Sequence, residues 1–302
     1  MTTGVLFDVK RFAVHDGPGV RTTFLLKGCP LRCRWCHNPE GISPAPELAY
    51  YAHRCIHCGE CVAACPHGAH RLEGGKHAFE RSRCVACGRC EEACLGGALR
   101  FWGRPMTVAE AVALALEDRP FYEQSGGGVT VSGGEPLLQP EFALELLAAL
   151  RRQGLHTALD TCAAVPWAAI AQVLPFTDLL LIDLKQADTA AHRRLTGRGN
   201  QLILRNFRRL AEAGATIEVR MPLVPGSNDG PEDLAAAGAF LAPLGVVRVK
   251  VLPYHDLARS KYDAIGVEDT MPRVAAPTAA DLDRAVAILR AAGAPAVASP
   301  GR

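Results

Sequence analysis

The stretch that decides the fold reads Thr22-Thr23-Phe24-Leu25-Leu26-Lys27-Gly28-Cys29-Pro30-Leu31-Arg32-Cys33-Arg34-Trp35-Cys36-His37-Asn38. Its first part is a short apolar run that reads as a strand, ended by Gly28 and Pro30. Its second part carries three cysteines spaced C-x3-C-x2-C. Three thiolates at this spacing can take three corners of a 4Fe–4S cubane and leave one iron open. Structural sites close their coordination sphere, whereas catalytic sites keep a position free. A zinc site, or three reduced core thiols, would carry the same letters.

Working outward, the cysteines are not scattered. Of twelve, three lie in this loop, eight lie between Cys55 and Cys94, and Cys162 stands apart. The first residues hold no apolar run long enough for a signal peptide or a membrane span. That predicts a cytoplasmic protein, where many cysteines mean metal rather than disulfides. The formal net charge of +2 gives no reason to expect a nucleic-acid surface. The 302 residues suffice for one large α/β domain with an insertion.

Between residues 52 and 101 the chain is cysteine-rich and poor in long apolar periodicity. Cys55, Cys58, Cys61 and Cys65 form a C-x2-C-x2-C-x3-C-P run, and Cys84, Cys87, Cys90 and Cys94 repeat the spacing without the proline. This is the bacterial two-cluster ferredoxin pattern, in which the fourth cysteine of each run serves the other cluster. Cys55, Cys58, Cys61 and Cys94 are thereby assigned to one cluster, and Cys84, Cys87, Cys90 and Cys65 to the second. A pair of four-cysteine zinc sites is the alternative.

The remainder alternates helix and strand patterns. Residues 4–27 read as two extended segments joined by a turn at His15-Asp16-Gly17-Pro18-Gly19. A capping box at Thr107–Glu110 opens a helix. Strands are expected at Gly128–Ser132, His156–Asp160, Asp178–Asp183, Thr216–Met221 and Val246–Leu252. Helices are expected from Pro140 and Pro166, near Gln201–Ala213 and Pro231–Leu241, and over Ala279–Ala292. Repeated strand–helix units imply a parallel sheet. The expected fold is a partial (β/α)6 TIM-type barrel, formed by residues 1–51 and 102–302, with an inserted ferredoxin-like two-cluster domain at 52–101.

In such a barrel the chemistry collects at the C-terminal strand ends. Those ends carry Gly133-Gly134-Glu135, Asp160, Asp183 with Lys185, Arg220, and His255. Each has a plain structural reading: a glycine turn, helix N-caps for the two aspartates, surface charges, and a loop histidine. Their convergence on one rim is a second argument for a site.

Taken together, H-D-G-P-G-V-R-T-T-F-L-L-K-G-C, the cysteine loop with Trp35 before its last cysteine, G-G-E, D-L-K and L-P-Y-H resemble the glycyl-radical-enzyme activating enzymes of the radical S-adenosylmethionine superfamily. The resemblance covers nearly the whole chain, including the ferredoxin insertion found in part of the family. It implies three 4Fe–4S clusters and S-adenosylmethionine as cofactors. Cys29, Cys33 and Cys36 would hold the catalytic cluster, with Trp35 and Asn38 beside it. Gly133, Gly134 and Glu135 would hold the cofactor's amino group. Asp160, Asp183, Lys185, Arg220 and His255 would line its pocket. Cys162 departs from the residue types often found after the D-T pair and reads as a buried thiol beside the pocket. The implied partners are a large glycyl radical enzyme as protein substrate and an external electron donor such as flavodoxin or ferredoxin. The competing function is a radical S-adenosylmethionine enzyme acting on a small molecule, its insert supplying electrons. A neighbouring gene encoding a large protein with a C-terminal glycine motif would separate the two.

Overall fold

The computed structural model describes residues 2–299. Strands β1 (Thr3–Ala13) and β2 (Arg21–Leu26) pair antiparallel, joined by the expected turn. Strand β3 (Glu47–Tyr50) leads into the cysteine-rich segment, which contains the small hairpin of β4 (His70–Glu73) and β5 (Lys76–Phe79). Strand β6 (Leu99–Trp102) returns antiparallel to β3. The chain then runs through β7 (Arg104–Thr107), β8 (Gly128–Gly133), β9 (Thr157–Thr161), β10 (Leu179–Asp183), β11 (Ile217–Leu223), β12 (Arg248–Pro253) and β13 (Ala296–Ala298).

The main sheet has the order β13-β12-β11-β10-β9-β8-β2-β1-β7. From β2 through β13 every pairing is parallel, while β1 and β7 form an antiparallel edge. Seven parallel strands therefore stand where six were expected. The seventh, β13, has only three residues, Ala296-Val297-Ala298, directly after Pro295, too short a run to announce a strand. The strand order is linear, so the sheet is open and mostly parallel.

The long helices begin where the sequence signals them. Thr107 Oγ1 accepts from Glu110 N and Thr278 Oγ1 from Asp281 N, each within a reciprocal capping box, which satisfies N–H groups that have no partner inside the helix. Proline opens Pro140–Arg152 and Pro231–Leu241, as its fixed φ and missing N–H allow. Behind the sheet, Leu146, Leu147 and Leu150 of the first of these helices pack with Phe24, Val131 and Leu159 in one buried cluster. Two further helices, Thr189–Thr196 and Arg259–Ile265, were not anticipated. Among the described residues no helix is long and apolar enough to cross a membrane.

The cysteine-rich segment is two copies of one backbone, 29 residues apart. His57 and Ala86 share a positive φ of 57° and 55°, and Gly59 and Gly88 one of 81°. A single 3-10 turn precedes each run, at Ala52–Arg54 and Arg81–Arg83. Amides donate to sulfur at matching places: Ala69 N to Cys65 Sγ at 3.4 Å, and Ala98 N to Cys94 Sγ at 3.2 Å.

Candidate active site

The loop from Cys29 to Asn38 leaves β2 and is tied from several sides. Gly28 and Cys29 donate to the carbonyls of Gly41 and Ile42, and Arg32 and Arg34 donate backbone N–H to Thr196 and Leu195. Lys261 Nζ donates to the carbonyl of His37 at 3.0 Å, to Asn38 Oδ1 at 3.1 Å and to Glu40 Oε1 at 2.7 Å. Tyr262 donates its hydroxyl to the carbonyl of Cys36 at 3.0 Å. A loop with so many of its peptide groups held externally keeps one shape without a helix or strand of its own.

All three cysteines of this loop are partly exposed and electrostatically felt by one another. Burial of the thiols pushes Cys33 up to about 11, with the Lys185 ammonium pulling the other way, and pushes Cys36 to about 12. Three neighbouring thiols with a cation nearby suit a polynuclear iron site, and loading it releases protons. Cys29 is shifted down, chiefly by a hydrogen bond with Cys162. Cys162 is buried, and its Sγ lies 3.1 Å from Glu135 Oε2.

Beside the loop opens a cleft of about 290 Å³, whose wall includes Trp35, Asn38, Asp160, Arg220 and His255. These five predicted residues therefore share one site. Asp160 Oδ2 accepts from Ser132 Oγ at 2.7 Å and from Arg220 Nη1 at 2.9 Å. Burial raises the Asp160 carboxyl against the pull of Arg220. Arg220 also donates to the carbonyl of His15 at 2.7 Å and lies 3.6 Å from Asp16. The His-Asp-Gly-Pro-Gly turn thus folds over the rim. Asp16 Oδ2 accepts from Thr23 at 2.9 Å, and its backbone carbonyl accepts from Thr130 at 2.6 Å. His37 meets His255 edge to face, ring centroids 4.2 Å apart.

Other predicted residues lie elsewhere. Asp183 and Lys185 pair at 2.7 Å outside the cleft wall. Although burial works against the Lys185 charge, Asp183 and the nearby thiols hold its pKa well above the ordinary value. Gly133 and Gly134 face backbone. A Cβ on Gly134 would stand 2.3 Å from the Gly28 carbonyl oxygen and 2.4 Å from that of Gly41. Glu135 is fully buried and accepts from Thr161 Oγ1 at 2.7 Å and Cys162 N at 2.9 Å. In this structure it brackets β8 to β9. Sequence reasoning missed Lys10, Ser132 and Lys250 in the cleft wall. It had quoted His15 and Asp16 only as a turn, and nothing local marks Lys261.

Two smaller hollows lie in the cysteine-rich segment. One, of about 20 Å³, is lined by Cys55, Cys58, Cys61 and Cys94 together with His57 and His77. The other, of about 10 Å³, is lined by Cys65, Cys84, Cys87 and Cys90 together with His67 and His70. Each draws three cysteines from one copy of the backbone and the fourth from the other. Arg81, at the start of the second copy, donates to the carbonyl of Leu48 at 2.7 Å and to that of Ala264. The helix Arg259–Ile265 therefore touches both the cysteine-rich segment and the Cys36 loop.

Residues 24–237 match the radical SAM superfamily. The chain is 41% identical over 293 residues to the choline trimethylamine-lyase activating enzyme of Oleidesulfovibrio alaskensis, covering 95% of this chain and 94% of that one. It is 43% identical over 280 residues to the isethionate sulfite-lyase activating enzyme of Nitratidesulfovibrio vulgaris, covering 90% and 91%. Among solved structures, Streptococcus suis SuiB bound to precursor peptide SuiA superposes with a TM-score of 0.51 at 14% identity, over 65% of this chain and 43% of that one. That last likeness concerns the fold alone.

Proposed function

We propose a mechanism on the premise that this chain belongs to the radical SAM superfamily and, within it, to the activating enzymes of glycyl radical enzymes. Members of this family use a 4Fe–4S cluster and S-adenosylmethionine, which together supply a 5′-deoxyadenosyl radical that removes hydrogen from a glycine of a partner enzyme. This chain's residues bind, orient and shield. Cys29, Cys33 and Cys36 hold the cluster. Asp160 and Arg220, with Asp16, present fixed charges of both signs to a zwitterionic cofactor, and Trp35, Asn38 and His255 complete the wall. Charge-assisted hydrogen bonds from such groups set orientation as well as affinity. Lys185 and Asp183 act from behind the cluster loop. Gly133, Gly134 and Glu135 act by letting β8 close against that loop.

The observation that carries this reading is that Trp35, His37 and Asn38 of the three-cysteine loop line the same cleft as the Asp160–Arg220 pair. The cysteine-rich segment, residues 52–101, is the inserted two-cluster domain in this reading, and its two hollows fit 4Fe–4S clusters by donor set: four thiols each, with backbone amides directed at sulfur. An external flavodoxin or ferredoxin would be the electron source, and the substrate is a large partner enzyme.

The test is to reduce the reconstituted protein anaerobically with S-adenosylmethionine and candidate partners, and to record electron paramagnetic resonance spectra. A glycyl-radical doublet on a partner supports the assignment. Cleavage of S-adenosylmethionine with no doublet on any partner, but with turnover of a small molecule, overturns it. Changing Cys29, Cys33 and Cys36 to Ala should lower iron from about 12 to about 8 atoms per chain and abolish cleavage.

A further inference from the structure

The two copies of the cysteine-rich backbone differ where each begins. The 3-10 turn before the first run starts at Ala52, and the one before the second starts at Arg81. Ala52 is exposed, whereas Arg81 is half-buried. Arg81 Nη1 donates to the carbonyl of Leu48 at 2.7 Å, and Nη2 donates to that of Ala264. Its guanidinium carbon lies 4.8 Å from the centroid of the Phe79 ring. A Cβ on Gly266 would collide with Arg81 Nε, so the glycine that caps helix Arg259–Ile265 leaves room for this side chain. The Ala264 carbonyl belongs to the last turn of that helix, where carbonyls lack a partner within the helix and a cation is favoured.

The same short helix holds the catalytic loop. Lys261 reaches His37, Asn38 and Glu40, and the Tyr262 hydroxyl donates to the carbonyl of Cys36 at 3.0 Å. On the other side, the backbone carbonyl of Arg81 accepts from Cys84 N at 3.0 Å, and Cys84 lines the hollow it shares with Cys65, Cys87 and Cys90. Hydrogen bonds therefore lead from Cys84 through Arg81 and the helix to Cys36. Apolar contact supports the helix as well, since Ala49 and Trp102 pack with Ala264 and Ile265. That contact is non-directional, whereas the planar fork of a guanidinium fixes both distance and orientation.

We propose that Arg81 is a positioning residue for the catalytic loop. It holds helix Arg259–Ile265 where Lys261 and Tyr262 can reach residues 36–40, and it ties that position to the order of the second auxiliary hollow. This rests on the reading that the loop and the hollows hold iron–sulfur clusters. Filling the hollow of Cys65, Cys84, Cys87 and Cys90 fixes Cys84, and with it the turn at Arg81–Arg83. Hydrogen bonds and a rigid helix then carry that order to Cys36, as contiguous packed networks do. The first copy has Ala52 at the matching place and lacks this grip. The second auxiliary centre thereby supports the shape of the catalytic loop, apart from any electron it passes.

The experiment is an anaerobic chelator challenge of the reconstituted full chain, with iron counted and the surviving centres followed by electron paramagnetic resonance. Arg81→Met keeps an apolar stem and removes the guanidinium. It should release the catalytic iron at least about fivefold faster than wild type, while the cysteine-rich segment keeps its own. Arg81→Lys retains the charge without the fork and should fall between the two. With S-adenosylmethionine added, the catalytic resonance should broaden in Arg81→Met and sharpen again in Arg81→Lys, which a general loss of stability does not produce. Tyr262→Phe should speed release in the wild-type background and add little in Arg81→Met, because both act through one helix. Equal release rates in wild type and Arg81→Met overturn the proposal, and so do fully additive effects. If Arg81→Met fails to fold, hydrogen exchange in the chain with Cys29, Cys33 and Cys36 changed to Ala decides. Loading the cysteine-rich segment with iron should slow exchange over residues 259–267 and 36–41, and unchanged exchange overturns the assignment. Wild-type protein holding only about 4 iron atoms overturns the reading of the hollows, and this proposal with it.

Discussion

Arg220 reaches past β10 to Asp160, two strands away, and meets its Oδ2 at 2.9 Å. Both side chains are largely buried, at 10% and 18% exposure. Neither charge is placed there for stability alone, since a buried ion pair seldom outperforms an apolar pair of the same volume.

Removing one member should therefore be costly. Arg220→Ala leaves a carboxylate buried without its cation and should destabilise the fold by about 3–5 kcal/mol, read by chemical denaturation. Arg220→Lys keeps the charge but cannot span both Asp160 and the His15 carbonyl. It should fold and bind S-adenosylmethionine about tenfold more weakly, measured by equilibrium dialysis. Wild-type affinity in Arg220→Lys would remove Arg220 from the binding site.

Gly134 tests the closure of β8 against the cluster loop. A methyl group would overlap two backbone oxygens, those of Gly28 and Gly41, which accept from the N–H groups of Glu135 and Gly28 respectively. Gly134→Ala should cost about 1–3 kcal/mol and lose the catalytic cluster selectively, leaving about 8 iron atoms per chain. Retention of about 12 with normal cleavage would show that the loop can shift at no cost.

Lys261 pairs with the carboxylate of Glu40, whose side chain is 3% exposed, while Lys27 reaches only the Glu40 backbone carbonyl. Lys261→Met should destabilise by about 3 kcal/mol and speed iron loss from the catalytic loop under chelator, with the cysteine-rich segment unaffected. The double change Lys261→Met with Glu40→Gln should recover most of the stability, because no uncompensated charge is then buried. Failure to recover would mean that the contacts to His37 and Asn38 dominate.

Acid sensitivity should trace to Asp118, far from any cluster ligand. Hydrogen bonds from Arg11, at 2.9 Å, and from Thr22, at 2.7 Å, hold its carboxyl below the ordinary value, the Arg11 bond being the larger cause. Folding thus favours the ionised form. The stability it contributes is complete above about pH 4 and is lost as pH falls through the lower, folded-state value. Asp118→Asn should flatten the unfolding free energy over that window, and an unchanged slope would reassign the sensitivity.

Much of this architecture can be read along the chain because its signals are local. Leu179-Leu180-Leu181-Ile182 is apolar throughout since β10 is buried on both faces, and the prolines and threonines that start helices do so within one turn. The cysteine spacing carried its own pairing into the two hollows. What stayed hidden depends on distance. Lys261 meets the cluster loop 223 and 224 residues earlier, at Asn38 and His37, and no periodicity encodes that. The partners of Glu135 are hidden for a similar reason: Thr161 and Cys162, which donate to its carboxylate, lie at the end of the next strand. Asp16 was visible, but as a turn residue, because its approach to Arg220 exists only once β1 and β2 have paired.

The exchange of fourth cysteines between the two 29-residue copies makes the cysteine-rich segment indivisible. A cut between residues 80 and 81 would strip one thiol from each hollow at once, so neither copy could be inherited, expressed or lost without the other. With β3 and β6 pairing its two ends, the segment can enter or leave a barrel of this kind only as a whole, by excision at a single stem.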